Sequence, residues 1–263
     1  MQQLYRQHHS PLHRIDARVK LVFTLAFIIL LNLAPAAAWP AYILSYALIL
    51  SATLLSRVGV GLVHKRALLA LPFIIAALPL IFSGPPPRLD LSLFNALHVP
   101  LSLPGLERFA SIAIRSWLSV QAAVLLAATT RFPDLLSALQ NLNIPPIFVA
   151  IIGLMWRYLH LIGEEALRML RARASRSAAS LGNRPSGGRL AWRARVTGGM
   201  AGSLLLRALE RSDRVYAAML SRGYDGSPPL LEGKPLSRNE ALALFCSMLL
   251  LIMIYLIALL TGA

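Results

Sequence analysis

Two tripeptides, Ser175-Arg176-Ser177 and Ser221-Arg222-Gly223, are where this chain could act on something outside itself. Each sets one Arg between small residues near the end of a segment with helical spacing. A guanidinium is a rigid fork of donors that suits carboxylates and carbonyls through charge-assisted hydrogen bonds. Small neighbours let a partner's backbone come close. Both tripeptides lie in or beside the run from Arg157 to Arg222, where thirteen Arg stand against Glu164, Glu165, Glu210 and Asp213 and so supply nine of the net charge of +15. A basic helix facing solvent or lipid headgroups would carry the same residues. Two similar contact points on one chain suit a partner with two similar subunits.

Other chemistry finds little support. No Walker-type glycine loop, His-Glu-x-x-His or Ser/His/Asp arrangement is present, so no catalytic site is expected. His8, His9 and His13 have no matching carboxylate or cysteine cluster, which favours a polar interfacial N-terminus over a metal site. The single Cys246 lies in an apolar run and excludes a disulfide framework. A pI near 11.3 is a weak footprint for nucleic acid. Arg at the cytoplasmic face of a membrane protein is the commoner cause, so no nucleic-acid partner is expected.

The elements that must position the two Arg follow from composition. The 263 residues are 57% hydrophobic and 14% charged, with mean hydropathy +0.63. A soluble domain carries about 25% charge, so the chain is a polytopic membrane protein. Its N-terminus stays polar for twenty residues, unlike the short basic start of an export signal. Leu21 to Ser56 contains no charge, enough for two helices of roughly 20 residues, broken by Pro35 and Pro40. Spans are expected at Val19–Ala34, Pro40–Ser56, Ala67–Phe82, Leu106–Thr130 and Ala241–Leu260. A basic loop is expected at Arg57–Arg66 and a loop of mixed polarity at Arg88–Pro104.

Lys and Arg accumulate on the cytoplasmic side. With the N-terminus inside, Arg6, Arg14, Arg18, Lys20, the Arg57–Arg66 loop, Arg131 and the long basic segment are all cytoplasmic. Leu135 to Trp156 is uncharged, but crossing there would place Arg157 to Lys234 outside. Pro133–Leu142 is therefore read as a short interfacial helix, and Pro146 as the start of a long helix that emerges near Arg157. The expected architecture is all-α: about five transmembrane helices, an interfacial helix and two long Arg-rich cytoplasmic helices. Its segments are 1–18, cytoplasmic or interfacial; 19–130, a four-span bundle; 131–156, interfacial or tilted; 157–236, the cytoplasmic helices; and 237–263, the last span.

In the first cytoplasmic helix Leu167, Leu170, Ala174, Ala178 and Leu181 form a stripe of helical period. Residues 182–188 read as a turn. The second helix runs from about Leu190 to Arg222, with Leu204, Ala208, Val215, Met219 and Arg222 near one face. Glu210 and Arg214 are spaced for an i,i+4 pair. Gly223 suits a left-handed helix closure, which leaves Arg222 at the C-terminus, where a cation is favoured. Gly198 and Gly202 either permit close helix approach or loosen a long helix. Arg115, inside the fourth span, either snorkels or pairs within the bundle.

Met155-Trp156-Arg157-Tyr158, Glu164-Glu165-Ala166-Leu167-Arg168-Met169 and the stretch from Arg207 to Gly226 (RALERSDRVYAAMLSRGYDG) resemble the T component of energy-coupling-factor transporters, in its CbiQ branch. The opening Ser10 to Leu21 (SPLHRIDARVKL) is similar to the same family's N-terminus. The resemblance covers the whole chain, and the 207–226 stretch is its most specific part. It implies two Ala-Arg-Gly motifs on cytoplasmic coupling helices that dock on two ATP-binding-cassette ATPases. The second corresponds to Ser221-Arg222-Gly223, with Ser in place of Ala. The first corresponds to Ser175-Arg176-Ser177, with Ala172-Arg173-Ala174 a rival register. Arg207, Glu210, Arg211 and Arg214 would support the second helix, Ala172 and Arg173 the first.

The resemblance further implies a non-catalytic subunit of a bacterial or archaeal cytoplasmic membrane. ATP and Mg would be held by a CbiO-like ATPase dimer, and cobalt (or nickel) by a CbiM-like substrate-binding membrane protein with a small CbiN-like subunit. No cofactor would sit on this chain itself, which contacts those partners and the bilayer. Two rivals stand beside it. A membrane acyl or prenyl transferase would use His13 and Asp16 as a base pair. A self-contained permease would need more polar residues in its spans than Asn32, Arg115 and Gln121.

Overall fold

A computed structural model describes residues 10–81, 88–93, 97–142, 144–176, 190–225 and 237–262. The fold is all-α, and the chain divides into two units, residues 1–142 with 233–263, and residues 143–232.

In the first unit, helix starts follow from proline and short polar side chains. Proline lies in the first turn of α1 (Pro11–Arg14), α3 (Trp39–Ser56), α5 (Leu71–Ala76), α6 (Leu103–Thr129) and α7 (Phe132–Asn141). There its missing N–H is no loss and its fixed φ suits the helix. Asp16 caps α2 (Ala17–Leu33) by accepting from the Arg18 N–H at 2.9 Å. Ser237 and Glu240 close a reciprocal capping box on α10 (Arg238–Thr261). Asp16, one half of the base pair that a transferase would need, is thus engaged at a helix terminus.

Among the described residues, four helices are long and apolar enough to cross a bilayer: α3, α6, α10 and α8 (Pro146–Arg176). The first expected span appears as α2, whose 17 residues reach the lower limit for crossing. The third differs from expectation. Instead of one helix over Ala67–Phe82, α4 (Val60–Ala67) leads into a 3-10 turn at Leu68–Ala70, then α5, then a second 3-10 turn at Leu78–Ile81. Pro72 and Pro79 each remove a ladder donor, so no single helix can form; Phe82 lies outside the described residues. The expected basic loop is also partly helical, since α4 holds His64, Lys65 and Arg66 in its last turn, where cations are favoured.

The expected loop at Arg88–Pro104 contains an antiparallel hairpin, β1 (Arg88–Leu93) with β2 (Leu97–Ser102). Its register pairs Leu89 with Leu101, Leu91 with Val99 and Leu93 with Leu97. The period-2 alternation of RLDLSL is the sequence cause.

The bundle core is built from Phe27, Leu31, Tyr42, Ile49, Leu118 and Leu251 among small residues, Ala34, Ala38, Ala41, Ala122 and Ala258. Small side chains let helices approach closely where no hydrophobic effect drives them together. Tyr46, His64 and Trp117 join α3, α4 and α6: the Tyr46 and Trp117 rings stack with centroids 5.9 Å apart, and His64 meets Trp117 edge-on at 5.3 Å. His64 Nδ1 donates to the Val60 carbonyl at 3.0 Å, which leaves Nε2 to accept from the Tyr46 hydroxyl at 3.2 Å.

Arg115 pairs at the turn between α2 and α3. Its Nε and Nη2 donate to the Tyr42 hydroxyl at 2.8 and 2.6 Å, and Nη1 donates to the Asn32 carbonyl at 3.3 Å. The Tyr42 hydroxyl in turn donates to the Pro35 carbonyl at 2.9 Å. One phenol therefore connects a charged side chain to the backbone of the turn. Tyr42→Phe is expected to cost about 1.5–3 kcal/mol, the range for hydrogen bonds to charged groups, read as a lower thermal midpoint in detergent.

Candidate functional site

The second unit carries α8 and α9 (Leu190–Leu220), the two basic helices. Pro146 opens α8, as its sequence position predicts, and the helix runs unbroken to Arg176. The two helices run antiparallel. Glu165 on α8 meets Arg207 and Arg211 on α9, while Arg173, farther along α8, donates through Nη1 to the Thr197 hydroxyl, farther back on α9, at 3.0 Å. Arg207 Nη1 reaches Glu165 Oε1 at 3.0 Å, and Arg211 Nη2 reaches Oε2 at 3.3 Å.

Glu165 is thus the joint between the helices, a role that local spacing did not reveal. Its partners lie 42 and 46 residues away in the chain, beyond any i,i+4 rule. The expected pair of Glu210 with Arg214 does not form: no ion pair joins them among the described residues, and both are exposed. Arg207 and Arg211 are engaged within the chain, by an acid on the other helix.

The packing face of α8 also differs from expectation. Leu167 and Leu170 are 57% and 46% exposed, and Ala174 is exposed. From residue 162 onward the half-buried positions are Ile162, Gly163, Glu165, Ala166, Met169 and Arg173, a periodic set on another side of the helix. Ala178 and Leu181, with the expected turn at 182–188, lie outside the described residues. On α9 the expected face is the half-buried one: Leu204, Ala208, Val215 and Met219, extended by Val196, Met200 and Arg211. Arg222 itself is exposed. A Cβ at Gly198 or Gly202 would meet nothing within 4 Å, so neither glycine serves close approach within this chain.

Both helix tips have the same local construction. Ser175 Oγ donates to the Ala172 carbonyl at 2.9 Å, and Ser221 Oγ donates to the Ala218 carbonyl at 3.0 Å. In each case the exposed Arg follows that serine. The correspondence aligns Ala172 with Ala218, Ser175 with Ser221 and Arg176 with Arg222. It leaves Arg173 opposite Met219, and Arg173 is already engaged with Thr197. Ser177 lies outside the described residues.

Gly223, at φ +81°, turns the chain into the left-handed region after α9. The Tyr224 N–H returns to the Met219 carbonyl at 3.0 Å, and the Gly223 N–H returns to Leu220 at 3.0 Å. These two bonds form a Schellman closure with Arg222 as the cap residue. The guanidinium stands at the negative end of the helix dipole.

The Arg207 hydrogen bond, reinforced by the charges of Arg211 and Arg168, holds the Glu165 carboxyl below the usual carboxylate range. A carboxyl more acidic with the helices together than apart stabilises the pair fully above the ordinary Glu range. That contribution is lost as pH falls through the lowered value. Glu165→Gln is expected to remove this pH dependence and to raise the rate of tryptic cleavage within α9 at neutral pH.

Among the described residues no group of three or more His, Cys, Asp or Glu could hold a metal ion. His8 and His9 lie outside those residues, and His13 Nδ1 is 2.6 Å from the Ser10 hydroxyl.

Residues 8–231 match the family model CbiQ, described as cobalt transport protein. An uncharacterized protein of Methanocaldococcus jannaschii is 28% identical over 225 residues, 84% of this chain and 74% of that protein. A putative fused cobalt transport protein, CbiMQ, of Methanocorpusculum labreanum is 27% identical over 230 residues, 85% of this chain and 36% of the fusion. The cobalt transport protein CbiQ of Rhodobacter capsulatus is 28% identical over 174 residues, 66% of this chain and 68% of that protein.

Proposed function

The chain belongs to the CbiQ family of cobalt transport proteins, and from that premise we propose that it is the transmembrane coupling subunit of an energy-coupling-factor importer. In this reading α8 and α9 dock on a pair of ATP-binding-cassette ATPases. Arg176 and Arg222 make the charge-assisted contacts, to carboxylates or carbonyls in a groove on each ATPase. ATP binding draws the ATPases together, and the helix tips move with them. The membrane bundle passes that motion to a separate substrate-binding membrane protein, so this chain neither hydrolyses ATP nor holds the metal.

The observation that carries the proposal is the duplicated tip: the same hydrogen bond from a Ser hydroxyl to an Ala carbonyl, followed by the same exposed Arg, at the ends of two antiparallel helices joined through Glu165. Two like tips suit two like ATPases. The fused CbiMQ protein supports a CbiM-like partner for the metal, with a small CbiN-like subunit beside it and cobalt, or nickel, as the transported substrate. The positive-inside rule supports a cytoplasmic N-terminus and cytoplasmic helix tips. It also favours a tilted or interfacial course for 131–156 over a full crossing.

Affinity purification from native membranes with mass-spectrometric identification of partners tests the proposal. Co-isolation of ATP-binding-cassette ATPases and a second polytopic protein is the expected result. Isolation without any ATPase, or cobalt uptake by the purified chain alone, would overturn it.

A further inference from the structure

A second feature lies in the bundle, away from the coupling tips. A cavity of about 250 Å³ opens between α2, α3, α6 and α10. Three helices each give it two turns: Lys20 to Phe27 from α2, Leu48 to Leu55 from α3 and Ala122 to Thr129 from α6. At 1.5 Å per residue this makes a slot about 10 Å deep. Lys20 Nζ donates to the Thr129 carbonyl at 3.3 Å, so the end of α6 and the start of α2 share one end of the slot. The buried Phe27 ring marks the other.

The slot has hydroxyls in its walls but offers none of them to a guest. Thr24 donates to the Lys20 carbonyl, Ser51 to Leu48, Thr129 to Leu125 and Ser247 to Leu244, each within its own helix. Water needs two to four polar partners to stay in a cavity, and apolar cavities smaller than this one stay dry and take up hydrocarbon. A peptide segment would bring amide groups that the walls cannot satisfy. A methylene chain brings none. The cationic group in the walls is the Lys20 ammonium, one of whose three donors goes to the Thr129 carbonyl. Asp16, four residues before it, is turned to the α2 N-terminus, and the charges of Asp134 and Asp16 both bear on the ammonium.

We propose that this slot holds the headgroup-proximal part of one acyl chain of an anionic phospholipid, with the headgroup phosphate against Lys20. The lipid fills a gap between helices that the protein's own side chains leave open, and so becomes a structural part of the bundle.

The test uses the full chain in nanodiscs of equal phosphatidylglycerol and phosphatidylcholine, each in turn carrying a photoreactive diazirine in its acyl chain. Crosslinks are mapped by mass spectrometry, and retained lipid is weighed by native mass spectrometry. One phosphatidylglycerol is expected to be retained at least tenfold over phosphatidylcholine, with acyl crosslinks confined to the slot walls at residues 12–27, 48–55, 122–129 and 243–247. Lys20→Gln should bring the two lipids to parity while keeping those crosslinks, and Ala52→Phe, which fills the slot, should abolish them for both. Crosslinks spread over the outer surface of the bundle would overturn the proposal. So would a preference that survives Lys20→Gln, or crosslinks that survive Ala52→Phe. Should neither variant accumulate, the crosslink map of the unsubstituted protein decides alone.

Discussion

Charge reversal at both helix tips, Arg176→Glu with Arg222→Glu, is expected to abolish cobalt uptake and ATPase copurification while the chain still inserts and folds. Each Arg is exposed, so reversal leaves no buried charge unpaired within the chain. In the assembled transporter each would forfeit a hydrogen bond to a charged or carbonyl group, about 1.5–3 kcal/mol, or roughly ten- to a hundredfold in affinity. Either single reversal should therefore weaken copurification, and the pair should remove it. Arg195→Glu, also exposed on α9 but far from its tip, should change little. Normal assembly and transport by the double variant would sink the coupling assignment.

Gly105→Ala is expected to be the most damaging single-methyl substitution in the bundle. A Cβ at Gly105 would stand 2.6 Å from the Leu80 carbonyl oxygen and 2.9 Å from that of Ile81. Both are backbone atoms of the 3-10 turn packed on the start of α6, so no rotamer change relieves the clash. The Gly105 N–H also donates to the Ser102 hydroxyl at 3.3 Å, which fixes the helix start. Overpacking of this kind costs about 1–3 kcal/mol, and a rigid obstacle places it at the upper end. Gly198→Ala and Gly202→Ala make the contrast, since both positions face open space. There the better helix propensity of alanine, about 1 kcal/mol, should leave thermal stability unchanged or higher. Equal thermal midpoints for Gly105→Ala and the unsubstituted protein would refute the packing account.

Helix ends were largely legible in the sequence because their causes are local. Pro146 opens α8 and Gly223 closes α9, each through chemistry within a few residues, whereas the Ser237–Glu240 box starts α10 three residues before the expected Ala241. What needed more than local spacing was missed. The third span holds enough apolar residues to cross, yet two prolines divide it, and hydropathy does not count donors. The hairpin alternation in RLDLSL was present but too short to outweigh the turn residues around it. On α8 the apolar stripe through Leu167 and Leu170 competes at the same period with a mixed one that includes Glu165 and Arg173, and periodicity alone cannot say which one faces α9. The stripe through Leu167 and Leu170 is exposed in the isolated chain. Glu165 was missed for the reason that most tertiary pairs are: its partners sit on another helix, tens of residues downstream.

The joint at Glu165 also has a mechanical consequence. Arg176 lies eleven residues beyond Glu165, and Arg222 lies eleven beyond Arg211, about 16 Å of helix in each case. Because the helices are antiparallel, the two tips point opposite ways from the joint, and the second tie between Arg173 and Thr197 stiffens the α8 side of it. Equal and opposite pushes on the two ends produce a torque with no net translation, whereas a push on one end alone also drags the joint sideways. A motor whose halves move oppositely across the line joining the tips would therefore deliver a turning stroke.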